Sequence, residues 1–317
     1  MRFSLGLAAA LALQLAFAGS AMARAAEAEA CRSVRFADVG WTDITTTTAL
    51  AKRILRALGY EPQSRLLSVP DAYEAMKNRE VDVFLGNWMP TMEADRRPYV
   101  DNGSVEVVGI NLEGAKYTLA VPSDLYEAGL KSFADIAGFR DRLQGRIYGI
   151  EPGNDGNRLI QEMIAANKFG LKGFELVESS EKGMLAEVEW AVRRKQPIVF
   201  LGWEPHPMNV KFSMRYLEGG DAVFGPNLGG STVYTNARAG FGAECPNAAA
   251  FIKNLKFNLA LQNTVMSLIL FGGLDPETAA ELWLKVNADA WIPWVQGVTT
   301  RDGSPAIPAV RQSLGIR

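Results

Sequence analysis

The hydrophobic and polar positions of this chain repeat one pattern of elements in two places. Short apolar runs at 83–88 (Val-Phe-Leu-Gly-Asn-Trp) and 199–203 (Val-Phe-Leu-Gly-Trp) both contain a glycine and end on a tryptophan. Apolar runs of this length that are rich in β-branched and aromatic residues are typical of buried strands. The shared ending indicates two related halves, although any chain of alternating strands and helices repeats these elements to some degree.

Helical periodicity surrounds both strands in the same order. Apolar residues at i, i+3 and i+4 spacing predict a helix just before each Gly-Trp strand, at 71–79 and at 184–195. Further upstream, a strand-like run and a polar turn lead into an amphipathic helix. The strand and turn occupy 34–43 and 146–155, and the helices that follow occupy 45–58 and 157–168.

Strands that alternate with helices predict an α/β fold with mostly parallel sheets. Two further short strands, at 116–121 and 231–236, bracket the second half of the pattern. The simplest topology uses them as the two crossings between a pair of lobes. The first lobe is then discontinuous and the second continuous, with predicted boundaries at 31–116 plus 236–317 and at 117–235.

The rest of the chain is expected to be helical. Apolar periodicity covers 247–271 and 276–288. Asp275 and Pro276 are the residue types favoured at a helix cap and at the first helical position, so a helix is predicted to begin there.

The N-terminus matches an export signal. Arg2 supplies a positive charge, and the apolar run at 5–17 is shorter than the ~20 residues that span a bilayer. Ala21-Met22-Ala23 matches the small-x-small cleavage pattern. Residues 1–23 are therefore predicted to be a signal peptide that sends the protein to the periplasm, with a membrane anchor as the alternative.

Charge balance and the content of histidine exclude several functions. The 317 residues carry 33 basic and 35 acidic side chains and a net charge of −2, without an evident basic patch, so nucleic acid is not an expected partner. With a single histidine and two cysteines, the sequence shows no His/Cys cluster of the sort that zinc requires. We expect no metal and no cofactor.

The two cysteines, Cys31 and Cys245, suggest a disulfide, because their number is even and the protein is expected to be exported. Cys31 as a lipidated N-terminus is the alternative, but the preceding Ala-Glu-Ala at 28–30 is not a lipobox. A disulfide between them would tie the N-terminus to a late segment, as a first lobe built from both ends of the chain requires.

Three tryptophans and a tyrosine are candidates for ligand contact. Trp41, Trp88 and Trp203 are each expected in a glycine-containing turn directly after a strand, where glycine lets a backbone and a ligand approach closely. Ligands of parallel α/β sheets bind beyond the carboxyl ends of the strands. Tyr117 is expected at the first crossing, where a cleft would close. The other tryptophans are interpreted as packing residues: Trp190 and Trp283 on helices, and Trp291 and Trp294 in the tail.

Several aromatic faces around one point suit a cation. Each cation–π contact contributes up to ~2 kcal/mol when water is excluded. A quaternary ammonium group fits such a box better than a primary amine does, because it has no N–H donors to satisfy and its methyl groups gain from apolar burial.

Five motifs carry a resemblance that covers essentially the whole chain after the signal peptide. They are Asp38-Val39-Gly40-Trp41-Thr42-Asp43, Leu85-Gly86-Asn87-Trp88-Met89-Pro90, Lys116-Tyr117, Gly153-Asn154-Asp155 and Gly202-Trp203-Glu204-Pro205-His206. As a set they resemble the periplasmic substrate-binding proteins of ABC importers for quaternary amines, and most closely the choline-binding members. The resemblance implies a type II, two-lobe fold that closes on its ligand like a flytrap.

The resemblance also implies roles for individual residues. Trp41, Trp88, Tyr117 and Trp203 would form the cage, whereas Asp43 and Asn154 would hold the hydroxyl end of the ligand. Cys31 and Cys245 match the cysteine pair of the family. The implied partners are choline and an inner-membrane ABC permease, and the protein is expected to be a monomer.

The sequence favours choline over glycine betaine as the ligand. An ionised Asp43 about 4 Å from a betaine carboxylate would cost on the order of 4 kcal/mol at an effective dielectric constant of 20. The same carboxylate attracts the choline cation and can accept its hydroxyl proton, and Asn154 can donate or accept there. Acetylcholine is a possible second ligand.

Helix N-termini argue in the opposite direction, because they favour anions and both predicted turns run into helices. Asp43 could also serve only as a first-turn acid, and Asn154 and Asp155 only as helix caps. Glycine betaine therefore stays open as the alternative ligand.

A hydrolase of choline esters is the alternative from another functional class. His206 would have to be its base, since it is the one histidine of the chain. A Gly-x-Ser-x-Gly elbow is absent from the sequence. Packing or a positioning role near Trp203 therefore suits His206 better than catalysis, and we expect no enzymatic activity.

Overall fold

The computed structural model describes residues 26–316, so the predicted signal peptide at 1–23 lies outside the described residues. The strands are β1 Arg35–Asp38, β2 Gln63–Leu66, β3 Val83–Met89, β4 Val105–Pro122, β5 Arg146–Tyr148, β6 Glu175–Val177, β7 Phe200–Glu204, β8 Met214–Tyr216 and β9 Gly230–Arg238. The helices of nine or more residues are α1 Thr42–Ala57, α2 Val69–Lys77, α3 Glu93–Asp101, α4 Asp155–Ala165, α5 Glu181–Arg194, α6 Pro246–Asn254, α7 Leu259–Leu270, α8 Pro276–Val286 and α9 Ala306–Leu314.

Shorter helical segments fill several of the connections. They are Glu29–Cys31, Ser123–Glu127, Phe133–Phe139, Lys168–Gly170, Met208–Lys211, Asp221–Phe224, Pro226–Gly229, Phe241–Glu244 and Ile292–Val295. Among residues 26–316, no helix has both the length and the apolar composition that crossing a membrane requires.

All nine strands join in one sheet, in the order β2-β1-β3-β9-β4-β7-β5-β6, with β8 paired to β4. Parallel pairs lie on both sides of the sheet, where β1 pairs with β2 and β3, and β5 with β6 and β7. The centre is antiparallel, because β9 runs against β3 and β4, and β4 runs against β7 and β8. The sheet is thus more mixed than the alternating pattern predicts, since the strands that cross between the halves enter it from the opposite direction.

The long strand β4 connects the two halves. It pairs with β9 over Val105–Lys116 and with β7 over Lys116–Ala120. The crossing strands predicted at 116–121 and 231–236 are parts of β4 and β9. We propose that the lobes meet along this β4–β9 ribbon at the boundaries expected from the sequence, and we call residues 31–116 with 236–317 the first lobe and residues 117–235 the second.

Helix α1 occupies the centre of the first lobe. It packs on β1 and β3 with one side and on α7, α8 and α9 with the other. Leu50, Ile54 and Leu55 on this helix are completely buried. The last third of the chain therefore returns to complete the first lobe.

The predicted helix over 247–271 is two helices. The chain between α6 and α7 is extended at Leu255, and the backbone N–H of Phe257 donates to the carbonyl oxygen of Asn111 on β4. The side chain of Asn258 then caps α7 by accepting from the N–H of Leu261. This local capping competes with helix continuation and divides an otherwise apolar run.

The packing prediction holds for three of the four remaining tryptophans. Trp283, Trp291 and Trp294 are buried in the C-terminal part. Trp190 was wrongly assigned to the core: half of its surface is exposed, and the Arg194 guanidinium lies 5.0 Å from its ring centre. The Arg194 guanidinium, one helical turn away, covers part of the Trp190 ring, so the ring can stay at the surface.

Cys31 and Cys245 form a disulfide, with their Cα atoms 5.5 Å apart. It joins the short helix at the start of the described chain to the segment just before α6. Both cysteines are buried.

Candidate functional site

The structure brings all six predicted contact residues to one cavity. The cavity contains about 260 Å³ of space free of protein atoms, part of it open to solvent, and its lining comes from both proposed lobes. Its lining consists of Trp41, Asp43, Trp88, Tyr117, Ile150, Asn154, Asp155 and Trp203. Sequence reasoning did not assign Ile150 and Asp155 to it.

The aromatic rings come from four different elements. Trp41 ends the turn between β1 and α1, whereas Trp88 lies within β3 and Trp203 within β7. The prediction that Trp88 and Trp203 lie in turns is wrong, because both strands continue one residue beyond the tryptophan. Tyr117 is on β4 directly opposite Trp203 in the ladder.

Tyr117 lies between two of the indoles. Its ring centre is 6.1 Å from that of Trp88 and 6.3 Å from that of Trp203. The corresponding interplanar angles are 60° and 81°, so the rings do not stack and their faces can surround a common point. All of these rings are at least 95% buried. Such an arrangement presents the negative faces of several rings in a dry environment.

The glycines beside the tryptophans have a different role from the predicted one. A Cβ at Gly86 would lie 2.8 Å from the side chain of Ile44, and a Cβ at Gly202 would lie 3.0 Å from Ala120. These glycines therefore make room for neighbouring side chains of the protein rather than for a ligand. Only Gly40 has the positive φ, of +82°, that a tight turn requires.

Asn154 fixes the position of Tyr117. The Tyr117 hydroxyl donates to Asn154 Oδ1 at 2.8 Å, and the same oxygen caps α4 by accepting from the backbone N–H of Asn157 at 3.0 Å. The approach is close, because a Cβ at Gly156 would lie only 2.1 Å from the hydroxyl oxygen of Tyr117. Burial raises the pKa of Tyr117, so this hydroxyl stays protonated.

Asp43 lies in the first turn of α1 and is 1% exposed. Its Oδ2 accepts from the indole N–H of Trp88 at 3.2 Å, and its Oδ1 has no partner among the described residues. Burial, together with the charge of Glu181, raises the pKa of Asp43 well above its usual range. A cation in the cavity would supply the missing compensation for this carboxylate.

Asp155 is a second buried carboxylate in the lining. Its Oδ1 accepts from the side-chain amide of Asn154 at 3.2 Å, and its Oδ2 has no partner in the part of the chain that is described. Burial raises the pKa of Asp155 to about 7. Sequence reasoning treated this residue only as a helix cap; its place beside Asn154 in the Gly-Asn-Asp motif was the available signal.

The helix N-termini at the cleft are occupied by the protein itself. The N–H of Thr42, the first residue of α1, donates to Glu181 Oε2 at 2.7 Å. At α4 the N–H of Asn157 is taken by Asn154. Backbone donors at these two positions are thus not free to bind an anionic ligand.

His206 lies behind Trp203, 4.8 Å from it between ring centres. Its Nδ1 accepts from the N–H of Met208 at 2.9 Å, and its Nε2 lies 2.9 Å from Glu181 Oε1. Both ring nitrogens are therefore engaged, and the ring does not line the cavity. No serine is among the described residues that line the cavity, so the serine–histidine pair of an ester hydrolase is not formed there.

The described residues contain no group of three or more side chains placed to hold a metal ion. The side chains that line the cavity are four aromatic rings, two carboxylates, one amide and one isoleucine. No basic side chain is among its lining residues. Such a cavity favours a compact organic cation.

Comparison with known proteins places this geometry in context. Residues 32–286 match the family model described as the substrate binding domain of ABC-type glycine betaine transport systems. One similar solved structure, an ABC-transporter choline binding protein in complex with choline, is 58% identical; the match covers 91% of this chain and 100% of that chain, with a TM-score of 0.90.

More distant relatives carry other ligands in their names. A lactococcal protein of known structure in complex with glycine betaine is 25% identical, with 83% of this chain and 98% of that chain covered and a TM-score of 0.75. The glycine betaine/carnitine transport binding protein of Listeria monocytogenes is 30% identical over 163 residues, which are 51% of this chain and 53% of that protein.

Proposed function

This chain belongs to the family of substrate-binding domains of ABC-type glycine betaine transport systems, and from that premise we propose that it captures choline between its lobes. The bound choline is handed to an inner-membrane ABC permease, and the protein catalyses no reaction on it. The predicted signal peptide supports a periplasmic location.

The observation that carries this proposal is the composition of the cavity. Four aromatic side chains and two buried carboxylates line it, and no lining residue is basic. Within residues 26–316, each of the two carboxylates has an oxygen without a hydrogen-bond partner. A quaternary ammonium group satisfies both features at once: its methyl groups bind the ring faces, and its charge offsets the buried carboxylates.

The charges favour choline over glycine betaine. A betaine carboxylate would enter a cavity lined by Asp43 and Asp155. Glu181 is near enough to Asp43 to raise the pKa of that carboxyl, and Glu151 accepts from the indole N–H of Trp41. One such contact between two ionised carboxylates at ~4 Å costs on the order of 4 kcal/mol at an effective dielectric constant of 20. The backbone donors of Thr42 and Asn157, which could have held a ligand carboxylate, bind Glu181 and Asn154 instead.

Within this proposal the six contact residues divide into two groups. Trp41, Trp88, Tyr117 and Trp203 form the cage around the ammonium group. Asp43 and Asn154 receive the hydroxyl end, where the free Oδ1 of Asp43 accepts the hydroxyl proton. Asp155 adds a negative charge that the sequence analysis did not include.

The cage requires both lobes, which links binding to closure. Trp41 and Trp88 come from the first lobe, and Asn154 and Trp203 from the second. A ligand that contacts all four stabilises the closed arrangement, because these contacts exist together only there. We propose that the protein acts as a monomer.

Calorimetric titration of the protein without its signal peptide tests the proposal. Choline, glycine betaine and acetylcholine are titrated separately, after unfolding and refolding to remove carried-over ligand. We expect choline to bind more tightly than glycine betaine by at least about 100-fold, as one unfavourable carboxylate contact implies. Acetylcholine tests whether the hydroxyl end tolerates extension.

Tight binding of glycine betaine would contradict the ligand assignment but leave the cage in place. Absence of heat with all three ligands would contradict the proposed function itself. Ester hydrolysis lost in a His206→Ala variant would favour the hydrolase alternative.

A further inference from the structure

Glu181 is buried at the boundary between the lobes although it takes no part in the cavity lining. It is the first residue of α5 in the second lobe and is 5% exposed. A carboxylate buried to this extent needs several hydrogen bonds. Three donors converge on it, and two of them belong to the other lobe.

The two donors from the first lobe are both on Thr42. Its backbone N–H donates to Glu181 Oε2 at 2.7 Å, and its hydroxyl donates to Glu181 Oε1 at 2.7 Å. Thr42 is the first residue of α1, and the preceding Trp41 provides no side-chain cap. Glu181 thus performs for α1 the task that a local Ser, Thr or Asp usually performs.

The third donor, His206, holds Glu181 in place from its own lobe. Because Met208 N–H donates to Nδ1, the ring proton lies on Nε2, and Nε2 donates to Glu181 Oε1 at 2.9 Å. The same ring packs edge-on against Trp203. A chain of contacts therefore runs from the cage wall through His206 to Glu181 and then across the cleft to α1.

We propose that Glu181 is a positioning residue for closure: it caps helix α1 from the opposite lobe and so holds the closed state without touching the ligand. We call Glu181, Thr42 and His206 the interlobe cap. The inference rests on the proposed function, since it assumes that a quaternary amine closes the lobes.

For electrostatic reasons, the interlobe cap should form more readily when a cationic ligand is bound. The N-terminus of α1 attracts the Glu181 carboxylate, but closure also brings that carboxylate towards Asp43, which is buried beside the cavity. Without a cation, closure requires Asp43 either to stay charged beside Glu181 or to take up a proton, and both cost free energy. With a cation bound, the cap can form at little electrostatic cost, so the cap mainly determines how slowly the ligand leaves.

A double-mutant cycle on the whole protein tests the interlobe cap. Glu181→Gln keeps an oxygen for His206 but cannot accept both Thr42 donors, and Thr42→Val removes only the hydroxyl donor. Binding of choline is followed by stopped-flow tryptophan fluorescence, which separates association from dissociation. Glu189→Gln is the matched control, since this partly exposed acid on the same helix forms ion pairs with Lys211 and Arg193 of its own lobe.

We expect Glu181→Gln to raise the dissociation rate of choline about 10- to 100-fold, as loss of hydrogen bonds to a charged group implies. The association rate should stay within about threefold, because the open state lacks the cap. The double variant should dissociate no more than about twofold faster than Glu181→Gln alone. In Glu181→Gln an amide NH2 faces the Thr42 N–H and repels it, so the neighbouring hydroxyl contact to Oε1 is displaced as well. Glu189→Gln should behave as wild type.

Independent, multiplicative effects of the two substitutions would overturn the inference, as would wild-type dissociation from Glu181→Gln. A large fall in the ligand-free melting temperature of Glu181→Gln would also overturn it, because it would show a role within one lobe. Failure of the proposed function is distinct: it appears as lack of choline and betaine binding by the wild-type protein.

Discussion

Asn154 caps helix α4 and lines the cavity at the same time. Its Oδ1 accepts both the N–H of Asn157 and the hydroxyl of Tyr117. Asp43 likewise belongs to the first turn of α1 and holds the indole of Trp88. The same side-chain atoms thus serve the helix ends and the cage. A substitution of Asn154 or Asp43 should therefore affect both the stability of the helix start and the affinity for the ligand.

The cation–π contribution of the Trp203 ring can be tested separately from its apolar volume. Trp203→Leu keeps an apolar side chain in the buried site but removes the ring quadrupole. We expect choline affinity to fall at least about 30-fold, which corresponds to one desolvated cation–π contact of ~2 kcal/mol. Calorimetric titration measures the change.

Trp283→Leu serves as the control for loss of a buried tryptophan. Trp283 packs against Trp294 near the C-terminus of the chain, away from the cavity. Its replacement should lower the melting temperature and leave choline affinity within about threefold, because sites far apart act independently. Equal losses of affinity in the two variants would contradict the cage.

The raised pKa of Asp155, about 7, predicts a pH dependence of binding. Choline favours the ionised carboxylate, so protons compete with it. Affinity should therefore be highest above pH 7 and fall as the pH drops towards 5, by at most about tenfold per pH unit for one proton. Titrations at several pH values measure this slope.

Asp155→Asn should make that profile less steep, leaving the part due to Asp43, and reduce affinity at pH 8. It should also stabilise the ligand-free protein at high pH. The folded carboxyl retains its proton up to about 7, whereas its usual pKa is 3.8, so the free energy of unfolding falls as the pH rises between these values. An affinity that does not change from pH 5 to 8 would show that the charge of Asp155 does not contribute to ligand binding.

The strength of the sequence argument differed between residues. Tryptophans beside glycines were identified because few structural roles require that combination twice. Asp155 was missed because an acid at a helix start is common and its neighbours Asp95 and Tyr117 are distant in sequence. Glu181 carried no signal at all, since its partner Thr42 is 139 positions away.

At the scale of elements, helix α4 approaches the cage more closely than a side chain would allow. Gly156 is its second residue, and a Cβ there would overlap the Tyr117 hydroxyl, 2.1 Å away. Either the helix start or the ring of Tyr117 would have to move. The glycine therefore sets the distance between α4 and β4.

Gly156→Ala tests this close approach. Alanine is the better helix former by up to ~1 kcal/mol, so local propensity alone predicts a more stable protein. We expect the opposite, with a lower melting temperature and choline affinity reduced at least about tenfold, because loss of a positioned contact commonly costs more than 1 kcal/mol. Thermal unfolding and calorimetry together measure both effects.

Gly242→Ala is the matched control, because a Cβ at this helical glycine meets nothing within 4 Å. It should leave affinity unchanged and stability unchanged or slightly higher. Wild-type affinity in Gly156→Ala would mean that Tyr117 moves without consequence for the ligand.

Strong periodicity predicted most elements, and weak periodicity explains the errors. Helices α1, α2, α5 and α8 begin and end within a few residues of their predicted bounds. Strand β2 was missed because all four of its residues are exposed, which leaves no alternation to detect. The break between α6 and α7 was missed because it depends on a hydrogen bond to Asn111 on a distant strand.

At the scale of the whole molecule, the disulfide between Cys31 and Cys245 joins residues 214 positions apart. It closes a loop that contains the entire second lobe. The chain-entropy model assigns about 5 kcal/mol to a loop of this length. Sequence reasoning reached the same pairing from an even number of cysteines and an expected export signal.

Replacing both cysteines by serine should lower the free energy of unfolding by up to about 5 kcal/mol, measured by chemical denaturation. Choline affinity should stay within about threefold, because neither cysteine lines the cavity. A large loss of affinity with little loss of stability would mean that the bond influences closure.

Strand β4 belongs to both lobes, so they cannot swing freely about a flexible linker. Its ladder with β9 has a register shift between Leu112 and Ala115, where Gly114 adopts a φ of +75°, just before the pairing with β7 begins. We expect opening to be a twist concentrated at this irregular point. The shared ribbon then resists twisting elastically. Its unstrained twist determines how much of the binding free energy is used to bend the sheet each time a ligand is captured.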